Sequence, residues 1–114
     1  MSQLNKLETS VRLSIKNTES DSGSVFGYGI ASLCMGVRDL GSLNAAAKSM
    51  GMAYSKAWRV IRDTEAALNM QLLNRDGAHG SQLTPEGEKL LNSYLEIVEH
   101  LEKEAARLYA EKID

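Results

Sequence analysis

The chain has 114 residues, of which 43% are hydrophobic and 25% charged, and its formal net charge is -2. These values suit one globular domain with a modest core and exclude the disordered, collagen-like and membrane classes. Cys34 is the only cysteine, which excludes an internal disulfide and makes the reducing cytoplasm the expected location. No apolar run approaches the ~18 residues of a membrane span, and no signal-peptide core follows the amino terminus.

The first predicted element is a β-strand over Thr9 to Lys16. Val11, Leu13 and Ile15 are apolar and alternate with polar neighbours, which is the two-residue period of a half-buried strand. Residues 17–24 are polar and small and show no apolar period, so they predict a loop that ends the strand.

The second predicted element is a helix whose apolar residues fall at i, i+3, i+4 and i+7. The residues on this face are Ile30, Leu33, Cys34 and Val37. Gly41 then suits the C-terminal cap of this helix. Ser42 can accept an amide hydrogen bond at the start of a short second helix from Leu43 to about Met50, and Gly51 breaks that helix after two turns.

A third helix is predicted from about Tyr54 to Leu68, and Asn69 suits the left-handed conformation at its end. Its inward stripe is Ala57, Ile61, Thr64 and Leu68. Two short half-apolar runs, 71–74 and 81–84, flank a Gly-containing turn and predict a two-stranded ribbon. The short helix, Gly turn and second helix form the helix-turn-helix arrangement, in which the second helix enters the DNA major groove.

The last predicted helix begins at Thr84 and Pro85, with the hydroxyl as N-cap and the proline at the first helical position. Its apolar stripe alternates three and four residues and consists of Leu91, Tyr94, Val98, Leu101, Ala105 and Leu108. About 25 helical residues span roughly 40 Å, whereas a compact domain of this size has a radius of gyration near 13 Å. We therefore expect the first half of the stripe to be core and the second half to meet a partner.

The near-neutral total charge conceals two opposite local charges. Residues 41–62 contain four basic side chains and no acidic ones: Lys48, Lys56, Arg59 and Arg62. Residues 85–114 contain eight acids and four bases, a net charge of -4. This distribution predicts a basic DNA-binding segment and an acidic final helix.

Several short motifs also carry a family resemblance. They are Gly41-Ser42-Leu43, Ala46-Ala47, Gly51-Met52-Ala53-Tyr54, Ala57-Trp58 and Leu83-Thr84-Pro85-Glu86-Gly87. Together they resemble the amino-terminal winged helix-turn-helix domain of the molybdate-responsive (ModE-type) regulators, which is itself similar to the DNA-binding domain of LysR-type regulators. The resemblance runs from about Thr9 to the final helix.

The resemblance implies a mainly α fold with a small β component, in one winged helix-turn-helix domain over 1–114. Its parts are an N-terminal strand, the helix-turn-helix at 42–69, a short two-stranded wing at 71–84 and a long C-terminal dimerisation helix at 85–112. It implies a homodimeric, cytoplasmic transcription regulator that binds a palindromic double-stranded DNA operator. Full-length family members continue into molybdate-binding domains that this sequence does not include, so we expect neither molybdate binding by this chain nor another cofactor.

The same resemblance places the binding residues by position. The recognition helix is 54–68 and the wing lies at 75–80. The expected DNA contacts are Asn44, Tyr54, Ser55, Lys56, Arg59, Arg62, Arg75 and His79. The expected dimer interface is Tyr94, Val98, Leu101, Ala105 and Leu108. Arg59 can either pair with guanine or hold a phosphate, and the sequence does not choose between these roles.

Trp58 and His79 each admit two roles as well. Trp58 either packs beneath its helix or stacks on DNA, and His79 either touches a phosphate or is merely solvated. Ala53 stands where family members commonly have a serine cap, and the wing is short. These departures from the family pattern are consistent with a second hypothesis, in which the chain is a winged-helix module that binds a protein. Neither a metal-ligand spacing nor a catalytic constellation is present in the sequence, so we predict no enzymatic activity.

Overall fold

The structure is a computed structural model that describes residues 3–75 and 81–114. Across these residues it contains four α-helices and one antiparallel pair of strands. In chain order they are α1 (Tyr28–Leu40), α2 (Leu43–Ser49), α3 (Tyr54–Leu68), β1 (Leu73–Arg75), β2 (Ser81–Leu83) and α4 (Pro85–Ile113), after a 3₁₀ turn at Gln3–Lys6. This confirms the predicted mainly helical winged fold with a small two-stranded ribbon.

The helix ends lie where the capping residues predict them. Gly41 has φ 88° and ends α1 in the left-handed region, which favours glycine. The Ser42 hydroxyl accepts the backbone N–H of Ala45 at 3.0 Å and so caps α2. Asn69, with φ 57°, ends α3 in the same left-handed conformation. Local side-chain chemistry therefore defines these boundaries.

One core joins the first three helices, β1 and the proximal part of α4. Its largest fully buried side chains are Phe26, Leu33, Leu43, Ile61, Leu72, Leu73 and Leu91. Gly36 permits the close approach of α1 and α2, because a Cβ there would lie 2.6 Å from the Ala46 Cβ. The sequence pattern did not reveal this contact. The four residues of the predicted α1 face are all buried, including Cys34, as expected.

The N-terminal segment differs from the predicted strand. Thr9 to Lys16 joins no sheet, and only Ile15 makes an isolated antiparallel bridge, to Phe26, with N···O distances of 2.9 and 2.8 Å. The predicted alternation does appear in burial, since Val11, Leu13 and Ile15 are half-buried and the residues between them are exposed.

The physical reason is that α4 takes the place of a neighbouring strand. The Tyr94 hydroxyl donates to the Leu13 carbonyl at 2.9 Å, and the Val11 N–H donates to the Glu102 carboxylate at 3.3 Å. Further out, the Tyr109 hydroxyl donates to the Leu4 carbonyl at 2.7 Å. We call residues 3–15 the N-terminal arm. Side chains of α4 therefore form hydrogen bonds with backbone groups of the arm that would otherwise pair with a neighbouring strand.

The distal part of α4 extends beyond the helical core, as predicted, and lies against the N-terminal arm. The principal extents are 58 × 33 × 22 Å and the radius of gyration is 16.9 Å, against roughly 13 Å for a compact body of about 100 residues. No helix in the described ranges combines the length and the apolar character needed to cross a bilayer.

Candidate nucleic-acid interface

The turn between α2 and α3 sets the angle of the third helix. Ala46 and Ala47 are 0% and 1% exposed, so small side chains let α2 approach its neighbours closely. Gly51 has φ 66°, and the Met52 N–H donates to the Ala47 carbonyl at 2.9 Å, which closes the turn. Ala53 precedes α3 and provides no side-chain cap, as the sequence predicted.

Helix α3 buries one face and exposes the other. Ala57, Ile61 and Thr64 point inward and are buried, while Leu68, also predicted to point inward, is only half-buried beside the buried Ala67. The exposed side chains at the first three turns are Tyr54, Ser55, Lys56, Arg59, Arg62 and Asp63, which we call the recognition face. The structure thus brings together five of the predicted DNA contacts on one surface.

The predicted contacts outside α3 are less closely grouped. Asn44 is exposed on the first turn of α2, and Lys48 is exposed near the end of the same helix. Arg75 ends β1, and His79 lies outside the described residues, so the predicted contacts at the wing tip remain predictions.

The basic side chains of this region are available to an anionic partner. In the described parts of the chain, Lys56, Arg59 and Arg62 form no ion pair with a carboxylate, and neither does Lys48. Asp63 is one acidic residue that the charge argument missed, because it lies immediately after the acid-free segment and on the same face. The recognition face therefore carries three positive charges and one negative charge.

One edge of the recognition face is aromatic. The Tyr54 and Trp58 rings meet edge to face, with centroids 6.2 Å apart and planes at 85°. The Arg62 guanidinium carbon lies 6.0 Å from the centroid of the Trp58 ring. Trp58 is half-buried and packs against the core, which is one of its two predicted roles, and it also lines an open groove, so the second role stays a prediction.

The base of the ribbon is attached to α3 by a carboxylate. Glu65 accepts the backbone N–H groups of Leu72 and Leu73 at 2.7 and 3.2 Å. Both leucines are fully buried, so these amides need a partner within the protein. Sequence analysis missed this positioning role, because a single glutamate near the end of a helix carries no distinctive pattern.

The ribbon is also attached to the start of α4. The Thr84 hydroxyl accepts the Gly87 N–H at 2.9 Å, which confirms the predicted cap, and donates to the Gln71 carbonyl at 2.6 Å. A Cβ at Gly87 would lie 2.5 Å from the Leu72 carbonyl oxygen, so only glycine fits at this position. The Leu83-Thr84-Pro85-Glu86-Gly87 motif is thus the joint between ribbon and final helix.

A second candidate surface lies on the distal part of α4. Ile97, Leu101 and Leu108 are 43%, 40% and 41% exposed, and we call them the apolar seam. Ile97 was not in the predicted interface, whereas Val98 and Ala105 were predicted there and are half-buried.

Tyr94 requires a correction. It was predicted at the dimer interface, but it is 3% exposed, and its ring meets Phe26 edge to face at 5.4 Å. The heptad spacing alone does not show that this turn of α4 still lies over the core. Tyr94 therefore serves the protomer's own packing, and the exposed seam begins one turn later.

Metal and thiol chemistry have little basis in the described residues. No group of three metal-ligating side chains occurs in residues 3–75 and 81–114. Burial raises the pKa of the Cys34 thiol to about 12, with a smaller contribution from the nearby Glu65 carboxylate. The thiol is therefore protonated at neutral pH, as suits a core residue.

Comparisons with known proteins agree with this geometry. Residues 33–88 match the family model described as bacterial regulatory helix-turn-helix protein, lysR family. The crystal structure of a CbnR_DBD-DNA complex aligns with a TM-score of 0.60 and 27% identity, covering 72% of this chain and 93% of that one. No curated protein matches the chain.

A second solved structure, VV2_1132, a LysR family transcriptional regulator, aligns with a TM-score of 0.58 and 20% identity. The alignment covers 70% of this chain but only 27% of that one, and at this identity it supports the fold alone. The likeness to molybdate-responsive regulators stays a prediction from the sequence motifs. Residues 33–88, just under half of the chain, are therefore similar to the helix-turn-helix domain of the lysR family of bacterial regulators, and the fold matches that of solved LysR-type DNA-binding domains.

Proposed function

We propose that the protein is a dimeric, sequence-specific regulator of transcription that acts on double-stranded DNA in the cytoplasm. The observation that carries this proposal is the recognition face, where Lys56, Arg59 and Arg62 are exposed on α3 without carboxylate partners in the described residues. A helix of this kind fits the major groove, and unpaired cations supply the attraction to phosphate. The structure of a related domain with DNA supports the same partner.

Six of the eight predicted contacts have a stated role in this proposal. In this proposal Arg59, in the middle of the exposed face, pairs with the O6 and N7 of guanine. Lys56 and Arg62, which are exposed on the same helix, hold phosphates, and Asn44 on α2 contacts the DNA backbone. Arg75 and His79 extend the phosphate contacts along the wing in this proposal.

The dimer proposal rests on the apolar seam. Ile97, Leu101 and Leu108 recur at intervals of four and seven residues, so they share one side of a helix that extends beyond its own core. Pairing of two copies along this seam, extended by Val98 and Ala105, would remove these side chains from water. A two-fold dimer presents recognition helices to successive major grooves about 34 Å apart, hence a palindromic operator.

The dimer is tested by light scattering. Leu101→Asp combined with Leu108→Asp should give a folded monomer, because buried carboxylates oppose seam pairing. The matched control, Glu99→Gln with Lys103→Gln, removes an exposed ion pair from the same helix and should leave the dimer intact. A dimer that survives the aspartate substitutions would place the interface elsewhere.

The DNA function is tested by selection from a genomic fragment library at low salt, followed by anisotropy titration. Lys56→Ala with Arg59→Ala should weaken binding of the selected fragment at least tenfold, since a bidentate base contact is worth about 1–3 kcal/mol. Lys103→Ala with Arg107→Ala removes the same charge from α4 and should change affinity little. Equal, weak binding by wild type and the recognition-face variant would contradict the proposal.

A pull-down tests the competing hypothesis of a protein-binding module. A stoichiometric protein partner that competes at residues 54–62, without retention of DNA, would favour that module. The relation to molybdate-responsive regulators remains part of our proposal on the strength of the motifs around Gly51 and Thr84. Neither this relation nor the DNA proposal requires an oxyanion to bind the chain itself.

A further inference from the structure

The recognition face has a chemically distinct edge that the charge argument does not use. Tyr54 occupies the first position of α3 and is 46% exposed, and Trp58 follows one turn later. Aromatic carbon at this point lies where the N-terminal residues of a recognition helix contact base edges. We call Tyr54 and Trp58 the aromatic edge.

The aromatic edge is held in place from several sides. The Tyr54 ring meets Trp58 edge to face at 6.2 Å, and the Arg62 guanidinium lies 6.0 Å from the Trp58 centroid. The remainder of Trp58 packs against the core. An indole fixed in this way presents a constant apolar surface and loses little conformational freedom when it is contacted.

The aromatic edge forms one wall of a groove on the recognition face. The groove has a volume of about 530 Å³ and is lined by Tyr54, Ser55, Trp58, Arg59, Arg62 and Asp63. The aromatic rings of Tyr54 and Trp58 and the Arg59 side chain therefore line the same groove. A ligand for this groove should offer an apolar group next to hydrogen-bond acceptors.

The DNA major groove offers an apolar group next to hydrogen-bond acceptors where a thymine lies beside a guanine. Thymine alone among the four bases carries an apolar group there, its C5-methyl, and guanine offers O6 and N7 to arginine. Base stacking fits the site less well, because it requires an unstacked base and a free ring face, whereas Trp58 is half-buried and the Arg62 guanidinium lies over its ring. A phosphate would accept a hydrogen bond from the Tyr54 hydroxyl or the Trp58 indole N–H, but it would leave the apolar carbon of the aromatic edge without a partner.

Resting on the proposed function, we infer that the aromatic edge is a specificity determinant that contacts a thymine methyl group beside the guanine paired with Arg59. Each half-site should then contain a thymine whose methyl is read by Tyr54 and Trp58. Arg62 acts as a positioning residue for the Trp58 ring, in addition to its charge.

The test uses the operator selected with the intact wild-type chain. Each thymine is replaced singly by deoxyuridine, which removes only the methyl group. One position in each half-site should lose about fourfold in affinity, the equivalent of about 0.8 kcal/mol for one buried methyl. In Tyr54→Ala, and separately in Trp58→Phe, the fourfold penalty at that position should fall towards one.

Lys56→Ala is the matched control, since it should weaken binding to every fragment and keep the fourfold thymine penalty. If no thymine is sensitive, or if both aromatic variants keep the full penalty, the inference is overturned while the DNA function stands. If no fragment is bound at all, the proposed function fails and the inference fails with it. Circular dichroism checks that Tyr54→Ala and Trp58→Phe are folded.

Discussion

Helices α3 and α4 each bury one face, but their exposed faces differ in chemistry. On α3, Lys56 and Arg59 have no carboxylate partner within the described residues. On distal α4 the charges pair along the helix, as Arg107 does with Glu104 and Glu111, and Lys103 with Glu99. Distal α4 also exposes the apolar seam, which has no counterpart on α3. The difference fits the proposal that α3 binds a polyanion and distal α4 an apolar surface.

Within α4, the proximal part packs against the core, whereas the distal part carries the exposed apolar seam. Leu91→Ala should lower the free energy of unfolding by about 2–5 kcal/mol, because this side chain is 0% exposed and its loss leaves a cavity. Leu101→Ala, the same change on the 40% exposed seam, should cost less than about 1 kcal/mol in dilute protein. Urea denaturation followed by circular dichroism measures both. Equal losses would show that distal α4 is part of the core.

The next largest expected effect on the free energy of unfolding comes from the hydrogen bonds that attach the ribbon to α3. Glu65→Ala should cost about 1–3 kcal/mol, because it removes the acceptor of two buried amides, those of Leu72 and Leu73. Glu96→Ala, on the exposed side of α4, is the control and should change stability by no more than about 0.5 kcal/mol. If the two variants unfold at the same urea concentration, Glu65 does not hold the ribbon.

The smallest expected effect concerns the acid on the recognition face. Asp63→Asn should raise affinity for the selected DNA roughly twofold to fivefold, because it removes a charge that repels phosphate in a solvated setting. Glu99→Gln removes an equal charge from α4 and should leave affinity unchanged. Anisotropy at fixed salt compares them. Weaker binding by Asp63→Asn would mean that Asp63 makes a direct base contact, for which cytosine N4 is the natural donor.

The sequence predicted features that depend on neighbouring residues. Gly41, Ser42 and Asn69 define helix ends through caps that involve a few residues, and each was placed correctly. Most of the α3 face followed from the helical period because Ala57, Ile61 and Thr64 meet the core, whereas in the last turn Ala67 is buried and Leu68 is half-buried.

The features that escaped prediction join residues far apart in the chain. The N-terminal arm meets α4 through the pairs Leu13–Tyr94 and Val11–Glu102, which no local period encodes. The same reason explains Gly36, whose role appears only when α2 lies against it. In α4 a single heptad pattern covers a core half and an exposed half, so spacing alone misassigned Tyr94.

The most direct test of the account is the salt dependence of DNA binding. Affinity of the wild type should fall linearly with salt on logarithmic axes, with a slope of about -0.9 for each phosphate neutralised. Replacement of Lys56 and Arg62 by alanine should reduce that slope by close to two such contacts, whereas Lys103→Ala with Arg107→Ala should leave it unchanged. A slope that is the same in all three proteins would contradict the claim that α3 is the DNA-binding surface.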